Sequence, residues 1–316
     1  MIANVLPLAL AAFLVASVCG WAWVFRQVVA GRQPVPFQTT RRVPWTLMDL
    51  LVFVYVFLLL QLGGGGIVRI VLGLGLDIDL DSVPLGVRAA LMLGGATATL
   101  VTTLVSVLLV RWMAGATWRD LGVDGRFLVQ DVAIGLAAFV LLAPPVYALQ
   151  MLLVQWFPSE HPLIKLLQER PDPIFLGISA FAAVIVAPVA EEYFFRVLVQ
   201  GWLHKLHCSG GAITSWIRIP PRSDDPGMAG ESETGEEQTL TDPASMGTWP
   251  IVASAGLFAV LHASHGPDPI PLFVLALGLG YLYRQTHRIL PCILVHLLLN
   301  LCSLTALLLT LNDFGN

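Results

Sequence analysis

Ile174-Phe-Leu-Gly-Ile-Ser-Ala-Phe-Ala-Ala-Val-Ile-Val-Ala-Pro-Val-Ala-Glu191-Glu192-Tyr193-Phe194-Phe195-Arg196-Val-Leu-Val-Gln-Gly-Trp202 is the stretch that decides the fold. It is long enough to cross the hydrocarbon core of a bilayer as a helix, which takes about 20 residues. Yet three ionisable side chains fall within six positions, and each costs about 2.5–3.5 kcal/mol at mid-span. Something has to offset them. Glu192 and Arg196 stand four apart on one helix face and can form an ion pair. Glu191 is rotated about 100° from its neighbour, is not the natural partner of that arginine, and can point at something else. A charge cluster that merely orients a bundle is the structural reading of the same residues.

The rest of the chain has the same character. Hydrophobic residues make up 56% of the 316 and charged residues 12%, against about 25% charged in a soluble domain. Apolar runs can be drawn at roughly 2–25, 46–66, 86–110, 128–156, 174–201, 250–264, 270–283 and 289–311. Alternating barrel-type strands are absent, and backbone polar groups in lipid must be paired internally, so the spans are helices. The fold class is all-α: a polytopic membrane helix bundle of about eight transmembrane helices. Gly63-Gly64-Gly65-Gly66 interrupts the second run, which resumes to Leu76 and is poorly bounded. The sixth and seventh are short for a bilayer of about 30 Å and are expected to be tilted, re-entrant or sheltered inside the bundle. The first run lacks a basic leader and has Val18 directly before Cys19, so it reads as a retained span rather than a cleaved signal.

Basic residues set the orientation. Arg26, Arg32, Arg41 and Arg42 mark the first connection as cytoplasmic, and Asp77, Asp79 and Asp81 put the next outside. Arg111, Arg119 and Arg126 return the third to the cytoplasm; His204, Lys205, Arg218 and Arg222, then Arg284 and Arg288, mark two more cytoplasmic connections. Both termini are expected outside. Ser223 to Gly247 is rich in Gly, Pro, Ser, Thr and acids and cannot bury enough apolar surface to order itself, so it reads as a disordered insertion. The net charge of −4 argues against a nucleic-acid partner. Cys19, Cys208, Cys292 and Cys302 show no pairing pattern and read as small hydrophobes.

Two further motifs carry polar groups into apolar runs. Phe258-Ala-Val-Leu-His262 lies in the sixth, and His296-Leu-Leu-Leu-Asn300 in the last. A packed core histidine is the bland reading of the first, and an interhelical polar clasp that of the second. Depth favours a common site. At about 1.5 Å per residue, Glu191 lies about 18 Å from Leu203, His262 about 20 Å from Trp249, and His296 and Asn300 about 10 and 16 Å from Ile289. These groups fall in overlapping layers of helices entering from one side.

Glu191-Glu192-x-x-x-Arg196, Phe258-x-x-x-His262 and His296-x-x-x-Asn300, in this order and span context, resemble the CAAX-protease and bacteriocin-processing family, also called Abi, which includes the type II CAAX prenyl endopeptidases. The resemblance covers roughly residues 120–311. Residues 1–119 match nothing nameable and are helices of unassigned role; 120–316 form the protease-like core, and the insertion at 223–247 stands outside the family core. The resemblance implies an intramembrane glutamic endopeptidase with a cavity facing the cytoplasm. Glu191 is then the general base, with His262 sharing or orienting the same water. His296 and Asn300 donate to the oxyanion, and Glu192–Arg196 holds the helix in register, with Phe258 in support. The chain is expected in a bacterial cytoplasmic membrane, with a peptide or membrane protein as substrate and the lipid bilayer as its setting.

Zinc is the rival chemistry, since two histidines and a carboxylate can bind it. However, H-E-x-x-H is absent, His296 faces Asn300 rather than a carboxylate, and His262 with His265 is a weak pattern before Gly266-Pro267. No metal and no cofactor are expected. Ser254 and Ser264 suit helix packing rather than nucleophilic attack. A non-proteolytic scaffold, regulator or immunity factor on the same bundle is the main alternative. An ion-coupled transporter would spread its ionisable groups along a path, whereas these form one layer.

Overall fold

The computed structural model describes residues 2–38, 43–73, 75, 83–157, 172–217, 247–263 and 266–314. Among the described residues there is no strand, and eight helices carry the fold: α1 (Ile2–Val29), α2 (Leu47–Val71), α3 (Leu85–Met113), α4 (Leu128–Val154), α5 (Pro173–Cys208), α6 (Trp249–Leu261), α7 (Pro269–Thr286) and α8 (Leu290–Phe314). Six of these, α1 to α5 and α8, contain stretches long and apolar enough to cross a membrane. The polytopic helical bundle read from the sequence is therefore what the chain forms.

The two short runs are sheltered. The α6 helix has 13 residues, about 20 Å by helical rise, and packs against α7 as a hairpin. Pro250, Ile251, Ser254, Ala255, Phe258 and Ala259 of α6 are buried. The core gathers α4, α5, α7 and α8, with Leu198, Leu279, Cys292 and Val295 fully enclosed. Around it α2 packs on α3 and α1 on α4.

Two expected boundaries are corrected. The glycines at 63–66 do not interrupt α2, which continues to Val71. A glycine costs about 1 kcal/mol in a helix, whereas each backbone group left unpaired in lipid costs several, so continuing is cheaper than breaking. The sixth run does not reach residue 264 as helix. It ends at Leu261, and the His262 N–H bonds the Ala259 carbonyl in a tightened last turn. Pro267, close behind, has no N–H with which to carry the helix on.

The connections expected on one side do lie at one end of the bundle. Gln38 N–H donates to Gln285 O at 2.9 Å, Lys205 Nζ to Trp45 O at 2.9 Å, and Ile289 N–H to Gly122 O at 3.1 Å. Arg284 Nη1 reaches Gly247 O at 3.2 Å. Asp131, at the start of α4, forms a buried ion pair with Arg288, which also donates to Gln38. At the far end Gln150 of α4 bonds Asp268, which precedes α7. The expectations for Arg41, Arg42, Asp77, Asp79, Asp81, Arg218, Arg222, Ser264, His265 and the 223–247 insertion fall outside the described residues, Gly247 excepted.

Candidate functional site

The site is built on an irregular α5. Its first turn is fixed by Asp172, whose carboxylate accepts from Phe175 N–H at 2.8 Å, and by Pro173 at the first helical position. The helix then widens into π-helical turns at Phe181–Val186 and again at Tyr193–Gln200, on either side of an α-helical Ala187–Glu192. Single-turn π segments in helices often mark functional sites. The first has a local cause: Ala187 N–H bonds back to Ala182 O, five residues away. The same spacing would pair Ala183 O with residue 188, which is proline and has no N–H. Asn300 of α8 fills that place, its Nδ2 donating to Ala183 O at 2.8 Å. In the second segment Ser254 Oγ donates to Phe195 O at 2.9 Å and Trp45 Nε1 to Leu198 O at 3.1 Å. Side chains from three other parts of the chain thus hold the wide turns of α5.

The adjacent glutamates have different surroundings. Glu192 Oε2 accepts from Arg196 Nε at 2.9 Å, with both side chains 0% exposed. Glu192 Oε1 lies 2.9 Å from His296 Nδ1, which donates to an ionised carboxylate. Glu191 keeps 28% of its side chain exposed, and its Oε2 lies 3.7 Å from His296 Nε2. His296 therefore stands between the two carboxylates, one ring nitrogen toward each. With Nδ1 donating to Glu192, Nε2 carries a proton only in the imidazolium form.

Phe258 ties the three motifs together. Its ring is fully buried and lies edge-on to Phe195 at 5.0 Å and to His296 at 5.9 Å. It tilts against His262 at 4.7 Å, and Arg196 Cζ stands 5.7 Å above it. His262 is half-buried, with Nδ1 2.8 Å from Phe258 O, on the same Phe258 ring that meets His296. The structure thus brings Glu191, Glu192, Arg196, Phe258, His262 and His296 into one cluster. Asn300 reaches α5 about two turns before Glu191, with one of its two amide hydrogens committed to Ala183 O.

Sequence reading missed several polar groups here. The Asp131–Arg288 pair joins residues 157 apart, and in the sequence Arg288 reads only as a loop charge. Gln200 and His204 are buried on the same helix as the glutamates, and their positions four and eight residues after Arg196 are the available signal. Ser254 packs as expected. All four cysteines are free, Cys292 buried and Cys19 and Cys302 exposed.

Residues 235–302 match the family model described as Rce1-like: Type II CAAX prenyl endopeptidase Rce1-like. The matched stretch takes in α6, α7 and the first half of α8, with Phe258, His262, His296 and Asn300; Glu191, Glu192 and Arg196 precede it. It agrees with the resemblance carried by the motifs and supports a membrane endopeptidase of the CAAX-protease type. No curated protein and no solved structure matches the chain significantly.

Proposed function

We propose that this integral membrane protein is an intramembrane endopeptidase that hydrolyses a peptide bond with a water activated by Glu191 and His262. The observation that carries this reading is the asymmetry of the glutamates. Glu192 is fully enclosed and held by Arg196 and His296, whereas Glu191 is partly exposed, with His296 Nε2 3.7 Å away. A general base needs access to water and an available lone pair, and of the two carboxylates Glu191 has the exposure.

Glu191 takes one proton from water while the oxygen attacks the scissile carbonyl carbon. The carbonyl electron pair moves onto oxygen, giving a tetrahedral oxyanion. The remaining amide hydrogen of Asn300 and the protonated Nε2 of His296 are the donors for that charge. Collapse breaks the C–N bond, the proton held by Glu191 passes to the departing amine, and an acid and an amine leave. No nucleophilic serine or cysteine, metal or cofactor enters this scheme. The family description makes a prenylated C-terminal peptide the first substrate to try; a leader peptide or another membrane protein is the wider class. The distribution of basic residues argues for a site that opens toward the cytoplasm.

One observation favours a second reading, a non-proteolytic scaffold or regulator. His296 Nδ1 and one Asn300 hydrogen are engaged in interhelical bonds, as a structural clasp would be. The purified protein in nanodiscs, incubated with prenylated and unprenylated CAAX peptides and then a peptide library, separates the two. Cleavage that disappears in Glu191→Gln supports the protease. Absence of cleavage across all substrates by folded protein supports the scaffold.

A further inference from the structure

Glu192, Arg196, Gln200 and His204 follow one another at four-residue intervals along α5, so they lie along one face. All four are buried, at 0, 0, 0 and 2% exposure. After the glutamate, each has polar atoms without a hydrogen-bond partner among the described residues: Arg196 Nη1 and Nη2, Gln200 Oε1 and His204 Nε2. Buried polar atoms are nearly always paired, and three successive positions on one face break that rule together. The stripe starts at the Glu192–His296 contact and ends one turn before Cys208, beyond which Gly210 to Ala212 are exposed.

The orphaned groups are chemically complementary. The Arg196 terminal nitrogens only donate, Gln200 Oε1 only accepts, and the His204 ring nitrogen does either. Gln200 cannot swing freely, because its Nε2 is bonded to Gly280 O at 2.9 Å. A buried water typically makes about three hydrogen bonds to such otherwise unsatisfied groups. An anion fits poorly, because Glu192 already balances Arg196 and Gln200 offers an acceptor. A cation is opposed by Arg196 itself.

We propose that this face of α5 carries a file of bound water that joins the Glu192–His296 pair to the aqueous phase at the Cys208 end. Water and protons exchange along it without using the substrate's route. Its role in supplying the reaction rests on the hydrolytic reading above; its existence does not. Each hydrolysis consumes one water and moves its protons onto the two products, so a buried centre filled by a peptide gains from a separate path for both.

Radiolytic hydroxyl-radical footprinting of the intact protein in nanodiscs tests the file directly, because bound water generates the radical beside the residues it touches. Ile251 is the reporter: it is buried, and its Cγ2 and Gln200 Oε1 crowd the same point above Gly280. Phe175, 2% exposed against 6% for Ile251 and packed with Ala89, is the control. The expected result is labelling of Ile251 where Phe175 stays unlabelled, falling several-fold in Gln200→Leu. Ile251 as unlabelled as Phe175 in the native protein overturns the proposal, whether or not any peptide is cleaved and whether or not the variant folds. If peptide cleavage is found, Gln200→Leu should lower kcat with KM unchanged and Gln200→Asn should restore part of it. Labelled Ile251 with unaltered kcat in Gln200→Leu overturns the exchange role.

Discussion

Replacing Glu192 with glutamine tests what holds the centre of α5. In the native protein one carboxylate oxygen accepts from Arg196 Nε and the other meets His296 Nδ1, each at 2.9 Å. Glutamine keeps one oxygen, so it can satisfy one partner; its amide NH2 then faces the other's donor. One charge-assisted bond is lost, worth about 1.5–3 kcal/mol, and the Arg196 guanidinium stays buried without its hydrogen-bonded counter-charge. Removing one member of a buried ion pair costs about 3–5 kcal/mol in all. By the scaling for soluble chains of 150–250 residues, that lowers the melting temperature by on the order of 10 °C. The assay is thermal unfolding in one detergent for native protein, Glu192→Gln, Arg196→Met and the double variant. The singles should each lose this much, and the double should lose less than their sum, because neither charge remains. Glu192→Gln melting with the native protein, or strict additivity in the double, would refute the reasoning.

Three further outcomes follow from contacts in the bundle. Gly280→Ala brings a Cβ to 2.7 Å from Ile251 Cγ2 and 3.0 Å from Gln200 Oε1, an overpacking that should cost about 1–3 kcal/mol and show as a lower melting temperature. Asn300→Ala removes the donor to Ala183 O and one oxyanion donor together. Stability should fall by about 1–3 kcal/mol and turnover by on the order of 10²–10³ with KM nearly unchanged, as steady-state kinetics beside a melting curve would show; a large rise in KM at unchanged kcat would make it a substrate-binding group instead. Dialysis against a strong chelator should leave peptide cleavage intact, and loss restored by zinc would sink the water-activation scheme.

The helices were legible because lipid leaves a chain few options: a run of apolar residues that must pair its own backbone is a helix. The same rule explains the error at Gly63 to Gly66, where propensities learned in water suggest a break that lipid forbids. The polar positions on α5, α6 and α8 were legible because ionisable and amide groups are conspicuous in apolar runs. Their mutual geometry was not. The π turns depend on Trp45, Ser254 and Asn300, which stand 153, 59 and 117 residues from the carbonyls they bond. Spacing also could not show that His296 would bridge both glutamates, or that α6 would stop at Leu261 and leave His262 on its end.

The most direct test of the central claim is a paired measurement on Glu191→Gln. This substitution keeps the size and hydrogen bonding of the side chain and removes its capacity to take a proton. Glu191 stands outside the Glu192–Arg196 pair and is partly exposed, so the variant should insert and melt close to the native protein. It should also lose nearly all peptide cleavage, while Glu192→Gln loses stability first. A Glu191→Gln protein that is folded and cleaves at the native rate, beside a folded but inactive Glu192→Gln, would contradict the assignment of the base.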